Sequence, residues 1–434
     1  MSLRSKSAKS KSPAAAARRA ESRHLMNTYK RPDVTFTHGK ACYLYDDRGR
    51  RYLDFLGGIA VNALGHAHPR IVRVIRRQAA RAVHLSNLYH NEFQGPLAEK
   101  LAKWSGLERV FFSNSGTEAI EGALKLARLY AQKKTGGTAK HRILALENSF
   151  HGRTFGALSI THTAKYREPY APMLPGCEFV KFNDVADLEA KFDGTVCAVI
   201  FETIQGEGGI TPVSEEFYRR ARALCTEHDA ALICDEIQCG LGRTGRYFAY
   251  QKFGVAAKPD IVTVAKPLAA GLPLGAFIAN EKFASAFTPG LHGTTFGGGP
   301  LVCAAALEAL NIIDDEKLLQ NVRARSAELR AGLAKLAKQF DFIKEVRGEG
   351  LILGVELRID GNAIATAAFQ RGLLINCTHD RVLRLLPSYR ISSAQVKDFL
   401  KEFAAVLSEA AKSQAQSASQ PASIPPQKSQ AAAR

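Results

Sequence analysis

ALICDEIQ, at residues 231–238, is a short apolar run that ends in polar side chains, and IVTVAK at residues 261–266 has the same form. A third apolar run, residues 110–112, leads directly into SNSGT at residues 113–117. Apolar runs this short are typical of buried strands when longer amphipathic stretches separate them. These stretches therefore predict strands of one sheet that end in residues able to bind a ligand.

The rest of the chain extends this pattern, because short apolar runs alternate with longer amphipathic ones. The predicted strands are residues 110–112, 143–146, 196–201, 231–234 and 261–264, and the predicted helices are residues 69–83, 96–104, 118–133 and 214–228, with a further helix beginning at 299. Such alternation is typical of crossover units that form a parallel sheet with helices on both faces. The expected fold class is therefore α/β, with a large, mainly parallel-sheet domain.

At 434 residues the chain is longer than one hydrophobic core usually supports, so we also expect a smaller domain. Residues 41–55 predict a hairpin, and beyond residue 320 helical patterns mix with strands at 351–357 and 383–386, as in an α+β domain. The expected divisions are a disordered basic tail at 1–24, the N-terminal part of the small domain at 25–75, the large domain at 76–315, the C-terminal part of the small domain at 316–411 and a disordered tail at 412–434.

The composition is that of a globular protein, with 46% hydrophobic and 23% charged residues. No apolar run approaches the roughly 18 residues that span a bilayer, so we expect a soluble protein without a membrane partner. The net charge of +18, about half of it in the two tails, leaves nucleic acid as an alternative partner. Because Lys and Arg are scattered through helical patterns without a known reading module, we expect no nucleic acid to bind.

The eight cysteines include no C-x-x-C pair and follow no secretory segment, which predicts reduced and mostly buried thiols. The head, residues 1–23, is rich in Ser, Ala, Lys and Arg and nearly free of acids. An organelle transit peptide and a disordered basic tail share this composition. We favour the tail, and with it a cytoplasmic location.

The three strand ends offer different chemistry. Ser115, with Glu118 three residues on, predicts a capping box, and a helix N-terminus with Gly116 beside it can bind phosphate, although this segment alone is better explained as an ordinary cap. Asp235 alone is compatible with a helix cap. Lys266 is more informative, because a desolvated lysine has a lowered pKa and attacks carbonyls. Lysine, carboxylate and phosphate cradle together are what pyridoxal phosphate requires.

Two other patterns predict different chemistry but lack the context for it. GLGRTG at 240–245 matches the dinucleotide-binding pattern, yet polar residues separate it from the strand and the aromatic stretch YFAY at 247–250 follows in place of a helix. His66 and His68 have no Asp, Glu or Cys at a metal-ligand spacing, so we expect a turn before a helix and no metal site.

These motifs together resemble the class III, or subgroup II, pyridoxal-phosphate-dependent aminotransferases, most closely those that act on acetylornithine, over roughly residues 26–405. The stretches that carry the resemblance are LDFLGGIAVNALGHAHP at 53–69, FFSNSGTEA at 111–119, NSFHGRT at 148–154, QGEGG at 205–209, DEIQCGLGRTG at 235–245, AKPLAAGLPLGA at 265–276, HGTTFGGGP at 292–300 and RLLP at 384–387. The resemblance implies the type I fold of pyridoxal-phosphate enzymes.

The resemblance also implies how pyridoxal phosphate is held. Lys266 would form the Schiff base and Asp235 would pair with the ring nitrogen. The other implied cofactor-binding residues are Gln238 at the ring hydroxyl, Phe150 stacked on the ring, Ser115, Gly116 and Thr117 at the phosphate, and Thr295 reaching the phosphate from the neighbouring subunit. A homodimer with shared active sites follows from the last of these.

The implied reaction moves the terminal amino group of N2-acetyl-L-ornithine to 2-oxoglutarate, a step of arginine biosynthesis. Arg153 would take the α-carboxylate of acetylornithine, since a guanidinium binds carboxylates in bidentate fashion. Arg384 would take the α-carboxylate of glutamate or 2-oxoglutarate, with Glu207 as a gate that otherwise pairs with it. Thr294 and Glu202 are also expected on the substrate side.

Three alternatives remain open. The substrate could be another ω-amine, such as ornithine, 4-aminobutyrate, succinyl-diaminopimelate or a carrier-linked lysine. A decarboxylase or aminomutase could share the scaffold, and a basic nucleic-acid-binding protein could retain an inactive enzyme fold. Thr203 and Ser388 stand where the family usually has proline, and both are expected in loops on the substrate side.

Overall fold

The computed structural model describes residues 13–419, whose secondary structure alternates between strands and helices. The strands are β1 (Phe36–Lys40), β2 (Tyr43–Asp46), β3 (Arg51–Asp54), β4 (Arg109–Ser113), β5 (Arg142–Leu146), β6 (Cys177–Val180), β7 (Val196–Glu202), β8 (Ile204–Gln205), β9 (Thr211–Pro212), β10 (Ala231–Asp235), β11 (Ile261–Val264), β12 (Gly275–Ala279), β13 (Ile343–Glu349), β14 (Ile352–Leu357), β15 (Leu373–Leu374), β16 (Asn376–Thr378) and β17 (Val382–Leu385).

The helices vary from single turns to one of 27 residues. They are α1 (Pro13–His24), α2 (Gly57–Ala60), α3 (Pro69–Ala79), α4 (Gln94–Ser105), α5 (Gly116–Thr135), α6 (Phe155–Ser159), α7 (Ala164–Arg167), α8 (Val185–Lys191), α9 (Glu215–Glu227), α10 (Glu281–Ala284), α11 (Pro300–Asp315), α12 (Leu318–Gln339), α13 (Gly361–Gln370) and α14 (Ser393–Ser419). Within residues 13–419, no helix is long and apolar enough to cross a membrane.

A seven-stranded sheet forms the centre of the molecule, with strand order β4-β12-β11-β10-β7-β5-β6. Neighbouring strands from β11 to β6 run parallel, and β12 is antiparallel to both of its neighbours. The strands β7, β10 and β11 are buried along their whole length, which explains why they consist of continuous apolar runs. This sheet confirms the α/β expectation and brings the carboxyl ends of its parallel strands to one edge.

Two four-stranded sheets lie in the terminal parts of the chain, and β8 and β9 form a separate two-stranded sheet. β13, β14, β17 and β16 form an antiparallel sheet in that order, and the predicted hairpin is present as β2 and β3. β15 pairs in parallel with β3, so the C-terminal part of the chain adds a strand to the N-terminal sheet.

Most predicted elements are confirmed, but the structure differs from the prediction at several places. α3 ends at Ala79, four residues before the predicted end, because the buried Gln78 side chain donates to the carbonyl of Ala82 and closes the last turn. The tail expected to be disordered at 1–24 contains α1, whose alanines favour a helix and whose Arg18 pairs with Asp33. β12 was not predicted, since GAFIA begins with two residues of low strand propensity.

The expected C-terminal tail also differs in part, because α14 continues through residue 419. The remainder of both expected tails lies outside the described residues. The two histidines weighed as metal ligands have other partners. His66 contacts Asp54 through Nε2 at 2.8 Å, and His68 caps α3 by accepting from the backbone of Arg70, as expected of a turn before a helix.

Candidate active site

The carboxyl ends of the parallel strands surround a cavity of about 440 Å³. Residues from five strand ends meet there, because each strand stops at the same edge of the sheet. The predicted site residues that line it are Ser115, Gly116, Thr117, Phe150, Arg153, Glu202, Asp235, Gln238 and Lys266. Residues that are far apart in the chain and were predicted as one site are therefore neighbours.

Lys266 lies just beyond β11, after four buried residues and Ala265. Its amine makes no hydrogen bond or ion pair with any residue from 13 to 419, which is unusual for a lysine placed inside a protein. Burial lowers the pKa of the Lys266 amine, although the charges of Asp235 and Glu207 act in the opposite direction. The side chain is therefore a more available nucleophile at neutral pH than an exposed lysine.

Asp235 ends β10 with its carboxylate held from both sides. Oδ2 lies 2.7 Å from Nδ1 of the buried His151, while Oδ1 accepts from the backbone N–H of Ile237 at 3.0 Å and the hydroxyl of Thr263 at 3.2 Å. Three contacts therefore fix the orientation of the Asp235 carboxylate, which lines the same cavity as Lys266.

The segment after β4 forms the N-terminus of the 20-residue helix α5. Ser115 caps it by accepting from the backbone N–H of Glu118, as predicted, but the other half of the capping box is absent. The Glu118 carboxylate instead accepts from the backbone N–H of Asn114, 2.6 Å away. The backbone N–H groups of Gly116 and Thr117, the first two of α5, have no acceptor among the described residues, so they can bind an anion.

Gly116 allows a close approach at this point. A Cβ on this residue would lie 2.9 Å from Cδ1 of Ile237, which stands two residues after the end of β10. Thr117 lines the same cavity and shares a 2.7 Å hydrogen bond with the hydroxyl of Thr154. The loop after β5 is thereby tied to the start of α5.

That loop after β5 carries Phe150 and Arg153 into the cavity wall. The guanidinium of Arg153 lies 3.7 Å from the ring centroid of Tyr166 and 5.5 Å from that of Phe150. Arg153 is exposed and makes no ion pair with any described residue. A guanidinium held by aromatic faces keeps its N–H groups free for an incoming carboxylate.

Glu202, the last residue of β7, is buried and joins two loops. Its Oε2 accepts from the backbone of Phe150 at 3.0 Å and its Oε1 from the backbone of Gly206 at 2.9 Å. Burial raises the pKa of the Glu202 carboxyl to about 7, with Asp235 adding to the effect and His151 opposing it. Glu202 therefore fixes the walls of the cavity as well as lining it.

Arg384, in β17, is 1% exposed and lies beside the cavity, where Gln238 connects the two. Its Nη1 bonds the carboxylate of Glu207, the carbonyl of Gly206 at 2.9 Å and Oε1 of Gln238 at 3.2 Å. Burial acts to raise the pKa of the Glu207 carboxyl, but the charge and hydrogen bond of Arg384, together with the charge of Lys266, lower that pKa overall. The expected pairing of Arg384 with Glu207 is present.

Thr294 and Thr295 do not line this cavity. They lie at a second cavity, where the Thr294 hydroxyl accepts from the Asn114 amide at 3.2 Å and Thr295 is exposed. Within one chain, the structure thus separates these two residues from Lys266.

Thr203 and Ser388, which were expected in loops on the substrate side, do not line the cavity themselves. The Thr203 hydroxyl donates to Oε1 of Glu236 at 3.0 Å, and the Ser388 hydroxyl donates to the carbonyl of Ala63 at 2.9 Å. Both residues are buried. Their hydroxyls satisfy interior acceptors, so among the described residues they are part of the supporting structure.

Sequence reasoning missed three residues of the site: His151, Thr263 and Tyr166. His151 stands within the quoted stretch NSFHGRT, and a polar Thr263 inside an otherwise apolar strand was a usable signal. Tyr166 carries no such signal, because only the folding of the loop over residues 162–172 brings it to Arg153.

The fold and these residues define an enzyme that handles amines. The chain belongs to the class III aminotransferases, whose family pattern matches residues 25–407, and it is therefore a transaminase. Its fold is the α/β type I fold of pyridoxal-phosphate-dependent transferases, as the resemblance implied.

Three relatives describe the similarity more closely. The chain is 46% identical to an acetylornithine aminotransferase of Clostridium acetobutylicum, over 88% of this chain and 98% of that protein. The ornithine aminotransferase of Toxoplasma gondii, solved with pyridoxal phosphate at partial occupancy in its active site, superposes with a TM-score of 0.88 at 33% identity, covering 92% and 95% of the two chains. The N-acetylornithine aminotransferase of Stenotrophomonas maltophilia gives 0.78 at 36% identity, covering 91% and 99%.

Proposed function

We propose that this chain is a pyridoxal-phosphate-dependent aminotransferase that moves the terminal amino group of N2-acetyl-L-ornithine to 2-oxoglutarate. The products are N-acetyl-L-glutamate 5-semialdehyde and L-glutamate, as in arginine biosynthesis. The observation that carries the proposal is the unpaired Lys266 amine facing the clamped Asp235 carboxylate across one cavity. The acetylornithine aminotransferases among its relatives support the choice of substrate.

The residues present fit pyridoxal phosphate. The free N–H groups at the start of α5 suit its phosphate, together with Ser115, Gly116 and Thr117. Asp235 would hold a proton on the ring nitrogen, Gln238 would reach the ring hydroxyl, and Phe150 would present its ring face. When bound, the cofactor supplies an aldehyde for amines and a ring that accepts electrons from the substrate carbon.

The chain's own residues supply the proton transfers. Lys266 would hold the cofactor at rest and be displaced by the substrate amine. Its Nζ would then take the proton from the substrate carbon that carries the amine and deliver it to the aldehyde carbon of the cofactor. It would act first as general base and then as general acid. Its lowered pKa suits both tasks. His151 and Thr263 would keep the Asp235 carboxylate oriented throughout.

Two arginines would distinguish the substrates. Arg153 would bind the α-carboxylate of acetylornithine, because its N–H groups are free at the cavity wall. Arg384 would bind the α-carboxylate of glutamate or 2-oxoglutarate after Glu207 moves away. Glu202 would keep both substrate-side loops in place, since it bonds the backbone of each.

We also propose that two copies of the chain form a homodimer in the cytoplasm. An exposed apolar patch supports the dimer. It consists of Val83, Leu85, Leu88, Tyr89, Leu291 and Phe296. Asn87 donates to the carbonyl of Gly297, which holds the two segments of the patch together. Burying the patch would bring Thr295 and Thr294, which neighbour it, to the partner's phosphate and substrate.

The proposed division of the chain follows from the pairing of its sheets. We assign 25–75 and 316–411 to one small domain, because β3 pairs with β15. Residues 76–315 form the large domain, which contains the whole seven-stranded sheet. The cofactor would lie in the large domain, with Arg384 added from the small one.

Ornithine is the second candidate donor, and the similarity to the Toxoplasma gondii enzyme favours it. The test is turnover of N2-acetyl-L-ornithine, ornithine, 4-aminobutyrate and succinyl-diaminopimelate with 2-oxoglutarate, with glutamate formation measured for each. We expect the highest kcat/KM for acetylornithine. A higher value for another amine would overturn the substrate. Release of carbon dioxide, or more than one equivalent of product per site without 2-oxoglutarate, would overturn the aminotransferase reaction.

A further inference from the structure

Arg384 has a cross-strand partner that is absent from the predicted site residues. β16 and β17 are antiparallel neighbours, and Asn376 stands directly opposite Arg384 in their register. Residues directly opposite each other point to the same face of the sheet. The Asn376 amide oxygen accepts from Nε of Arg384 at 3.2 Å, so the pairing fixes the side chain as well as the backbone. On the other side of β17 the opposing residue is Gly354, which offers no competing side chain.

The three nitrogens of this guanidinium have different surroundings. Nε is occupied by Asn376, and Nη1 carries all the bonds to Gly206, Glu207 and Gln238. Nη2 has no hydrogen-bond partner among residues 13–419. The side-on edge of the guanidinium, formed by Nε and Nη2, is therefore partly occupied by Asn376. The end-on edge, formed by Nη1 and Nη2, is occupied by the partners of Nη1 alone.

The partners also differ in charge and in freedom to move. Glu207 makes the one ion pair that Arg384 has in the described chain, and its side chain is 36% exposed on a loop between β8 and β9. Asn376 belongs to a strand and is neutral. A neutral acceptor orients the guanidinium without cancelling its charge, so the charge remains available once Glu207 leaves.

We propose that Asn376 is a positioning residue that fixes Arg384 through Nε and so presents the Nη1–Nη2 edge to the α-carboxylate of glutamate and 2-oxoglutarate. The inference rests on the proposed function, in which Arg384 receives that carboxylate. It predicts that Asn376 affects one half-reaction and leaves the other unchanged, because Arg153 binds acetylornithine without help from β16.

Two variants separate orientation from charge. Asn376→Leu keeps a similar volume but removes the acceptor, whereas Asn376→Asp keeps the shape and the acceptor and adds a permanent negative charge beside Arg384. Asn362→Ala is the matched control, because Asn362 is an exposed asparagine at the start of α13 that bonds only Asp360 and Asp380. Each half-reaction is followed separately in the holoenzyme through the cofactor's absorbance, with glutamate or acetylornithine alone.

For Asn376→Leu we expect the half-saturating concentration of glutamate to rise about ten-fold, with its maximal rate and both constants for acetylornithine changed by less than about two-fold. Asn376→Asp should also weaken glutamate binding, since its charge competes with the substrate. An unchanged half-saturating concentration of glutamate in Asn376→Leu, or an equal rise for both substrates, would overturn the proposal.

Binding of glutarate, measured by calorimetry, gives a readout without turnover. Glutarate has the dicarboxylate of glutamate but no amine to transfer, so it should bind Asn376→Leu about ten-fold more weakly than wild type. Equal binding to both would contradict the role of Asn376. A wild-type enzyme that transfers no amine from either substrate, yet binds glutarate in a manner that depends on Asn376, would refute the proposed function and retain the positioning role.

Discussion

Arg384 is 1% exposed, paired with Glu207 and fixed through Nε. Arg153 is exposed, and among residues 13–419 only the faces of Tyr166 and Phe150 hold its guanidinium. The difference follows from burial. A buried guanidinium left without a counter-charge costs several kcal/mol, so the inner arginine needs Glu207 whenever no substrate carboxylate is present. An exposed guanidinium keeps its hydration and needs no such partner.

This difference in burial implies that replacing Arg384 by alanine and replacing Arg153 by alanine have different effects on activity. Loss of the inner arginine removes a desolvated charge contact and leaves Glu207 without its partner. Loss of the outer one removes a contact that water partly replaces. The two half-reactions of one enzyme can therefore be weakened independently and by different amounts.

Lys266→Ala removes the catalytic amine on which both half-reactions depend. It should therefore slow the half-reactions with glutamate and with acetylornithine alike. We expect both half-reactions to slow by about 1,000-fold or more, because one residue acts as nucleophile and as general acid and base. Single-turnover rates with glutamate and with acetylornithine measure this. Lys335→Ala, a change of an exposed lysine on α12, should leave both rates as in wild type. Residual activity above one hundredth in Lys266→Ala would contradict the assignment.

Arg384→Ala should produce the larger of the two one-sided effects. We expect kcat/KM for glutamate to fall about 100-fold, since truncating one partner of a buried charge pair costs about 2–5 kcal/mol. The acetylornithine half-reaction should change by no more than about three-fold, because it does not need this contact. An equal loss in both half-reactions would mean that Arg384 supports the fold instead of one substrate.

Arg153→Ala should give the opposite pattern on a smaller scale. We expect kcat/KM for acetylornithine to fall about ten-fold, which corresponds to one charge-assisted contact in a partly hydrated place. Glutamate should be affected less. Arg358→Ala, at another exposed arginine, serves as the control. A larger loss for glutamate than for acetylornithine would reverse the assignment of the two arginines.

Tyr166→Ala tests whether the aromatic face holds Arg153 in place. A cation–π contact at an exposed site is worth about 0.5–1 kcal/mol, so we expect kcat/KM for acetylornithine to fall about three-fold. Tyr166→Phe keeps the ring and should behave as wild type. If Tyr166→Phe loses as much as Tyr166→Ala, then the hydroxyl and not the ring matters.

Thr203→Val lies away from both arginines and should leave both half-reactions unchanged. It removes a hydrogen bond to Glu236, which costs about 1–2 kcal/mol and lowers the melting temperature by a few degrees. Burial raises the pKa of Glu236 to about 7, and the Thr203 hydroxyl favours its ionised form. The loss should thus be larger at pH 8, where Glu236 is ionised, than at pH 6. Thr203→Ser keeps the hydroxyl and serves as the control. A melting temperature of Thr203→Val equal to that of wild type would show that the hydrogen bond to Glu236 does not stabilise the fold.

The site residues that could be predicted from the sequence are those that directly follow a predicted strand. Lys266, Asp235 and the residues after β4 each follow a buried apolar run, and the rule that ligands bind at strand ends is enough to bring them together. Asn376 and Tyr166 could not be found in that way. One depends on the register between β16 and β17, and the other on how a loop folds over Arg153. Both are tertiary contacts that no spacing in the chain indicates.

The same limit explains the corrections. Only one of the two hydrogen bonds of the predicted capping box is present. The Glu118 carboxylate accepts from the backbone N–H of Asn114 in place of the nearby N–H of Ser115. Thr203 and Ser388 were expected in substrate-side loops because of their neighbours in the chain. Thr203 directly follows β7, and successive side chains along a strand point to opposite faces, so nearness to Glu202 does not place the Thr203 hydroxyl in the cavity.

The central claim is that one cavity passes an amino group from acetylornithine to 2-oxoglutarate through Lys266. The most direct test follows the absorbance of the bound cofactor while N2-acetyl-L-ornithine is added in excess, then removed, and 2-oxoglutarate is added. We predict loss of the visible band in the first step and its full return in the second, with one glutamate formed per site. An unchanged band on adding acetylornithine, or a lost band that 2-oxoglutarate does not restore, would contradict the account.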